Sequence, residues 1–189
     1  MKSRMAGAGL GVAVVLSLMG SGVMAQQADA GKAQKQFKGP LKVFILAGDS
    51  NCEGKAATTL LEHLITNPET AATYKHLKSA DGKWAVRDDV WIRYLGRNGN
   101  LTVGYGGAES QFGIELQFGN VIGDHLQNQA LLIKTAWGGS GLSRNFNSPG
   151  SDGKAGECYT QMVENVKDTL KNLKTLFPGY DEAGGYEIA

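Results

Sequence analysis

After residue 40, the hydrophobic positions alternate between short continuous runs and runs with helical spacing. The continuous runs predict buried strands, at residues 42–48, 86–95 and 130–136, with a further strand beginning at 186–189. The helical spacing predicts three helices, at residues 56–67, 113–126 and 159–177. Because strands alternate with helices, we expect a three-layer α/β/α sandwich around a parallel sheet.

The first 25 residues differ in character from the rest of the chain. Lys2 and Arg4 precede an uncharged apolar stretch, and small residues precede Gln26. This pattern is typical of a secretory signal peptide cleaved after Ala25, with a single membrane anchor as the alternative. Residues 26–40 are polar and predict a flexible leader. We therefore expect a secreted or periplasmic protein whose domain covers residues 41–189.

The charge and the cysteines restrict the partners. The formal charge is +1, and removing Lys2 and Arg4 with the signal peptide makes it −1, which gives no indication of a nucleic-acid or membrane partner. Cys52 and Cys158 are too far apart to form a recognisable disulfide framework, so separate thiols are favoured over a disulfide. The adjacent acids Asp88 and Asp89 are expected in a solvated turn rather than in a metal site.

Two glycine turns follow predicted strands, Gly48-Asp49-Ser50 and Gly138-Gly139-Ser140. Parallel sheets bind ligands at the carboxyl ends of their strands, so both turns are expected at one rim. A serine at such a position is exposed, as a nucleophile must be. The amide of Ser50, and that of Gly113 at a helix start, are suited to stabilise an oxyanion.

A phosphate-binding loop is the alternative for the first turn. That motif needs four residues between its first glycine and a Gly-Lys pair, followed by Ser or Thr. Here five residues separate Gly48 from Gly54, and Lys55 is followed by Ala56. The spacing therefore excludes this interpretation.

Three segments of the chain resemble one enzyme family. VFILAGDSNCEG resembles the first block of the SGNH/GDSL hydrolases, FGIELQFG the second block, and LLIKTAWGGSGL the strand and turn that follow it. The surrounding sequence resembles the carbohydrate esterases of this superfamily, the sialate O-acetylesterase and acetylxylan-esterase-like proteins. The resemblance implies a flavodoxin-like fold and a serine esterase that removes O-acetyl groups from carbohydrate without a cofactor or metal.

The resemblance also implies residue roles. Ser50 would be the nucleophile, and its amide and that of Gly113 would form the oxyanion hole, with Gly139 as a further candidate donor. Asn51 and Trp137 are candidate contacts for the sugar. Asp49, Cys52 and Ile114 stand where these esterases usually have Gln, Met and Pro, and none of the three changes removes a catalytic group.

The general base is the part of the pattern that is missing. The family carries an Asp-x-x-His block near the end of its domain, and this chain has none. We do not assign the base to His63, His76 or His125. We therefore expect this chain to be the front part of a catalytic domain, with the base beyond Ala189, and to be nearly inactive alone. The alternative is a non-catalytic glycan-binding module on the same scaffold.

Overall fold

The structure is a computed structural model that describes residues 37–150 and 153–189. The predicted signal peptide and most of the predicted leader lie outside the described residues. The strands are β1 (Leu41–Gly48), β2 (Ala56–Ala57), β3 (Arg87–Tyr94), β4 (Arg97–Leu101), β5 (Gln111–Phe112), β6 (Ala130–Ala136) and β7 (Tyr186–Ile188). The α-helices are α1 (Ser50–Glu53), α2 (Thr58–Thr66), α3 (Ala71–Tyr74), α4 (Ile114–His125), α5 (Glu157–Lys171) and α6 (Leu173–Leu176). None of the helices described is both long and apolar enough to cross a membrane.

The main sheet has five strands in the order β4-β3-β6-β1-β7. β3, β6, β1 and β7 are parallel to one another, and β4 is antiparallel to β3. Gly48 pairs with Ala136, so β1 and β6 end side by side. The predicted α/β fold with a mainly parallel sheet is therefore confirmed. β3 and β4 form an antiparallel hairpin that turns at residues 95–96.

Helices cover the sheet on both faces. One face packs against α4, through Phe118 and Ile122, which contact the side chains of β3 and β6. The other face packs against α5 and α6, where Leu173 and Phe177 join the core. β6 is buried along its whole length, which explains its nearly continuous apolar run. β1 is buried at Leu41 and Val43, but Ile45 is 38% exposed.

A second, two-stranded sheet accounts for one difference from the sequence prediction. We predicted a single helix over 56–67, but Ala56 and Ala57 form β2 and pair antiparallel with β5. The helix begins only at Thr58. Two residues are too few to show a period, so the sequence pattern could not reveal this pairing. The small sheet joins the segment after Ser50 to the segment before α4.

The last elements also differ from the predictions. The helix predicted over 159–177 is two helices, because Asn172 leaves the helical conformation and its side chain bonds back to Asp168. β7 is parallel to β1, as predicted, but it was expected to be buried. Tyr186 and Ile188 are instead 46% and 53% exposed, because β7 is an edge strand.

Two further expectations concern polar and sulfur side chains. Asp88 and Asp89 were expected in a solvated turn, but they lie within β3, and Asp89 is buried against Arg87 with a 2.8 Å ion pair. The turn prediction was wrong because both residues lie inside the strand predicted over 86–95, where Arg87 donates to the Asp89 carboxylate. Cys52 and Cys158 are both buried and free, as favoured.

Candidate active site

Ser50 is the first residue of α1, directly after β1 and at the carboxyl edge of the sheet. Asp49 caps this short helix, since its Oδ1 accepts a hydrogen bond from the Asn51 amide at 3.1 Å. Gly54 ends the helix, and its amide donates to the Ser50 carbonyl at 3.0 Å. Cys52, the replacement for Met, is buried in a small cluster with Tyr94 and Ala136. The turn is thus fixed at both ends, with Ser50 only partly buried.

The backbone at Gly54 touches the backbone at Gly113. A Cβ atom built on Gly54 would overlap the Gly113 Cα, and Gly54 has a φ of +78°. Only glycine satisfies both conditions without strain. The pairing of β2 with β5 produces this contact, because it holds residues 56–57 beside 111–112. The start of α4 therefore lies next to the Ser50 turn.

A cleft of about 550 Å³ opens at this contact. Ser50 and Asn51 line it from the first turn, and Gly113 and Ile114 line it from the start of α4. The remaining lining residues are Gly54, Lys55, Ala56 and Phe112. The structure therefore brings together the predicted nucleophile, one predicted oxyanion residue and one candidate sugar contact.

A buried ion pair beneath the cleft was not predicted from the sequence. Lys134, in the middle of β6, places its Nζ 2.6 Å from Glu115 Oε2, and both side chains are 0% exposed. Burial lowers the pKa of Lys134, and the Glu115 carboxylate opposes that shift. The signal was present in the sequence, because Lys134 interrupts an otherwise apolar strand.

Lys134 also connects the loops around the cleft. Its ammonium donates to the Glu53 carbonyl at 2.8 Å and to the Tyr105 carbonyl at 2.7 Å. It lies 4.5 Å from the centre of the Tyr94 ring. With the bond to Glu115, its three N–H groups are all used. One side chain thus holds the Ser50 turn, the segment after β4 and the first turn of α4.

The amide of Gly113 makes a hydrogen bond that the sequence did not predict. Its amide N–H donates to Glu115 Oε1 at 2.8 Å. The acceptor belongs to the carboxylate that Lys134 holds through the other oxygen. Gly113 therefore lies in the cleft as expected, but its amide proton is bonded to the protein's own carboxylate.

The second glycine turn contributes differently from the first. Gly138 leaves room for the Glu53 side chain, because a Cβ there would overlap Glu53 Oε2. That oxygen has no hydrogen bond from the described residues and is paired with Lys55 Nζ at 3.2 Å. Gly139 is exposed, and neither it nor Trp137 lines the cleft. Their proposed roles stay predictions.

The three histidines lie elsewhere. His63 is in α2, His76 is in the turn of 3-10 helix that follows α3, and His125 ends α4. All three are exposed, and none lines the cleft that contains Ser50. Within the described residues, no group of three His, Cys, Asp or Glu side chains could hold a metal ion.

Comparison with known protein families gives a match over most of the chain. Residues 40–177 match the family model described as carbohydrate esterase, sialic acid-specific acetylesterase. The chain belongs to this family. Membership assigns it to a family of carboxylic ester hydrolases that act on acetylated carbohydrate, and it confirms the resemblance seen in the sequence.

The comparison with solved structures gives a more distant similarity. A crystal structure of a protein from Arabidopsis thaliana is 17% identical, with a TM-score of 0.46. The alignment covers 79% of this chain and 54% of that one, so the chain spans about half the length of that protein. No curated protein matches the chain.

Proposed function

We propose that this protein is an O-acetylesterase that removes small acyl groups from a carbohydrate outside the cytoplasm, with Ser50 as its nucleophile. The observation that carries the proposal is the cleft in which Ser50, at the end of β1, lies beside Gly113, at the start of α4. The membership of residues 40–177 in a carbohydrate esterase family supports it. The location rests on the predicted signal peptide and the expected cleavage after Ala25.

In the proposed reaction, the Ser50 hydroxyl oxygen attacks the acyl carbonyl carbon, and a general base accepts the hydroxyl proton. The resulting oxyanion collapses, the bond to the sugar oxygen breaks, and the sugar leaves with a proton. Water then attacks the acyl-Ser50 ester and releases the acid. None of the three histidines lines the cleft, so we assign the base to none of them.

The identity of the sugar is the most specific part of the proposal. Sialic acid and xylan are both candidates that the resemblance offers, and the family description favours sialic acid. The test is acetate release from O-acetylated sialic acid and from acetylated xylan, measured for the wild-type chain and for Ser50→Ala. Release that disappears in Ser50→Ala supports the proposal, and the preferred polymer identifies the sugar. Equal release by Ser50→Ala and the wild type, at a rate above that of the buffer alone, would contradict it.

A glycan-binding module is a second candidate, and the exposed histidines favour it. Such a module would bind the acetylated glycan and release no acetate. Calorimetry with the same two substrates separates the candidates, because a binding module gives a saturable heat without turnover. Ser50→Ala would then bind as well as the wild type does.

A further inference from the structure

The carboxylate of Glu115 and a substrate oxyanion would compete for the same hydrogen-bond donor, the Gly113 N–H. The Gly113 amide has one N–H, and in this structure it donates to Glu115 Oε1 at 2.8 Å. Hydrogen bonds to a charged acceptor are about twice as strong as neutral ones. An oxyanion that formed at Gly113 would therefore have to displace a strong acceptor already in place.

Glu115 is held firmly in that position. Its second oxygen accepts from Lys134 Nζ at 2.6 Å, and neither side chain is exposed to solvent. Lys134 in turn is fixed by the carbonyls of Glu53 and Tyr105. The carboxylate cannot rotate away from Gly113 without breaking its contact with Lys134. A single network thus connects the Gly113 amide to the turn that carries Ser50.

We propose that Glu115 is a positioning residue that holds the Gly113 N–H away from the oxyanion position in the resting protein. This inference rests on the proposed function, since it concerns the oxyanion hole of that site. Lys134 keeps Glu115 in place and balances its charge. The oxyanion hole is then incomplete until the Gly113 amide exchanges Glu115 for the substrate oxygen.

The variant Glu115→Gln separates this role from packing. Glutamine has one acceptor oxygen where glutamate has two. That oxygen accepts from the Lys134 ammonium, because the side-chain NH₂ is itself a donor and cannot accept from it. The NH₂ group then faces the Gly113 N–H, donor against donor. The variant keeps the size of the side chain and releases the Gly113 amide. Glu187→Gln is the matched control, because it alters the exposed ion pair with Lys42.

The first measurement follows hydrogen exchange of the Gly113 amide by NMR in the ¹⁵N-labelled full chain. We expect exchange at least about 10-fold faster in Glu115→Gln than in the wild type, because a charge-assisted bond is lost. Glu187→Gln should match the wild type. Equal exchange in Glu115→Gln and the wild type would overturn the inference. If Glu115→Gln does not fold, the double variant Glu115→Met/Lys134→Met also removes the acceptor and carries the same expectation.

The second measurement is the rate at which a fluorophosphonate probe labels Ser50. If Glu115 withholds the amide, Glu115→Gln should be labelled several-fold faster than the wild type. A purely structural role predicts slower or unchanged labelling, and either result would overturn the inference. If Ser50 is labelled in no variant, the proposed nucleophile fails, and the exchange of the Gly113 amide alone decides the role of Glu115.

Discussion

Gly54 and Gly113 are in backbone contact, and a Cβ atom on Gly54 would overlap the Cα of Gly113. Gly54 follows Ser50 by four residues, and Gly113 directly precedes α4. This contact therefore sets the distance between the Ser50 turn and the start of α4, the two sides of the cleft. The site therefore depends on a position at which no side chain is tolerated.

The first prediction follows from that contact. Gly54→Ala should lower the free energy of unfolding by about 3 kcal/mol or more, through a left-handed φ and a backbone overlap. Gly139→Ala is the matched control, because Gly139 has nearly the same φ, +79°, with nothing within 4 Å. It should cost about 1 kcal/mol. Urea unfolding of both variants measures the difference, and equal losses would show that the contact does not matter.

The second prediction concerns the buried pair. Lys134→Met leaves Glu115 charged and buried without an opposite charge, so it should lower the free energy of unfolding by about 3–5 kcal/mol. Glu115→Met/Lys134→Met should cost less than Lys134→Met alone, because no uncompensated charge remains. Lys42→Met, at the exposed pair with Glu187, should cost less than about 1 kcal/mol.

Denaturant unfolding of the four proteins, including the wild type, completes this test. A double variant less stable than Lys134→Met would contradict the account of an uncompensated charge.

The third prediction is a pH dependence of stability. Burial raises the pKa of Tyr94 from its ordinary value of about 10 to about 12. The unfolded chain therefore loses this proton first as the pH rises, and stability is fully present below pH 10 and declines between pH 10 and 12. One such group contributes at most about 1.4 kcal/mol per pH unit. Tyr94→Phe should flatten the decline, and identical slopes for both proteins would contradict this.

The fourth prediction tests the missing base. Expressed from residue 26, the chain should hydrolyse p-nitrophenyl acetate at least several hundredfold more slowly than a serine esterase with a complete triad does, by analogy with triad deletions. The triple variant His63→Ala/His76→Ala/His125→Ala should leave that residual rate unchanged, because none of the three lines the cleft. Full activity in the chain, lost in the triple variant, would place the base among these histidines.

The sequence predicted those parts of the fold that rest on long apolar patterns. β1 and β6 were predicted within one residue, because each carries a run of mostly apolar residues that ends at a glycine turn or just before one. The start of α4 at Gly113 was predicted as well. The pairing of β2 with β5 was not, because two residues carry no period. The exposure of β7 was missed, because the local pattern of apolar residues does not reveal which strand lies at the edge of the sheet.

The candidate site was predicted only in part. Ser50 was found because a glycine turn after a buried strand is a local signal. The bond between Gly113 and Glu115 was missed, although the two residues are neighbours in sequence, because the amide at the helix start was expected to be available to an oxyanion. A lysine within an apolar strand indicates a buried partner, but not which one.

The central claim is that Ser50 is the nucleophile, and adduct mapping tests it most directly. The full chain is incubated for hours with a fluorophosphonate probe and digested, and the modified residue is identified by mass spectrometry. Ser140→Ala is the matched control, since Ser140 lies in the turn after the neighbouring strand. We predict an adduct on Ser50 in the wild type and in Ser140→Ala, and none in Ser50→Ala. An adduct on another serine, or none at all, would contradict the account.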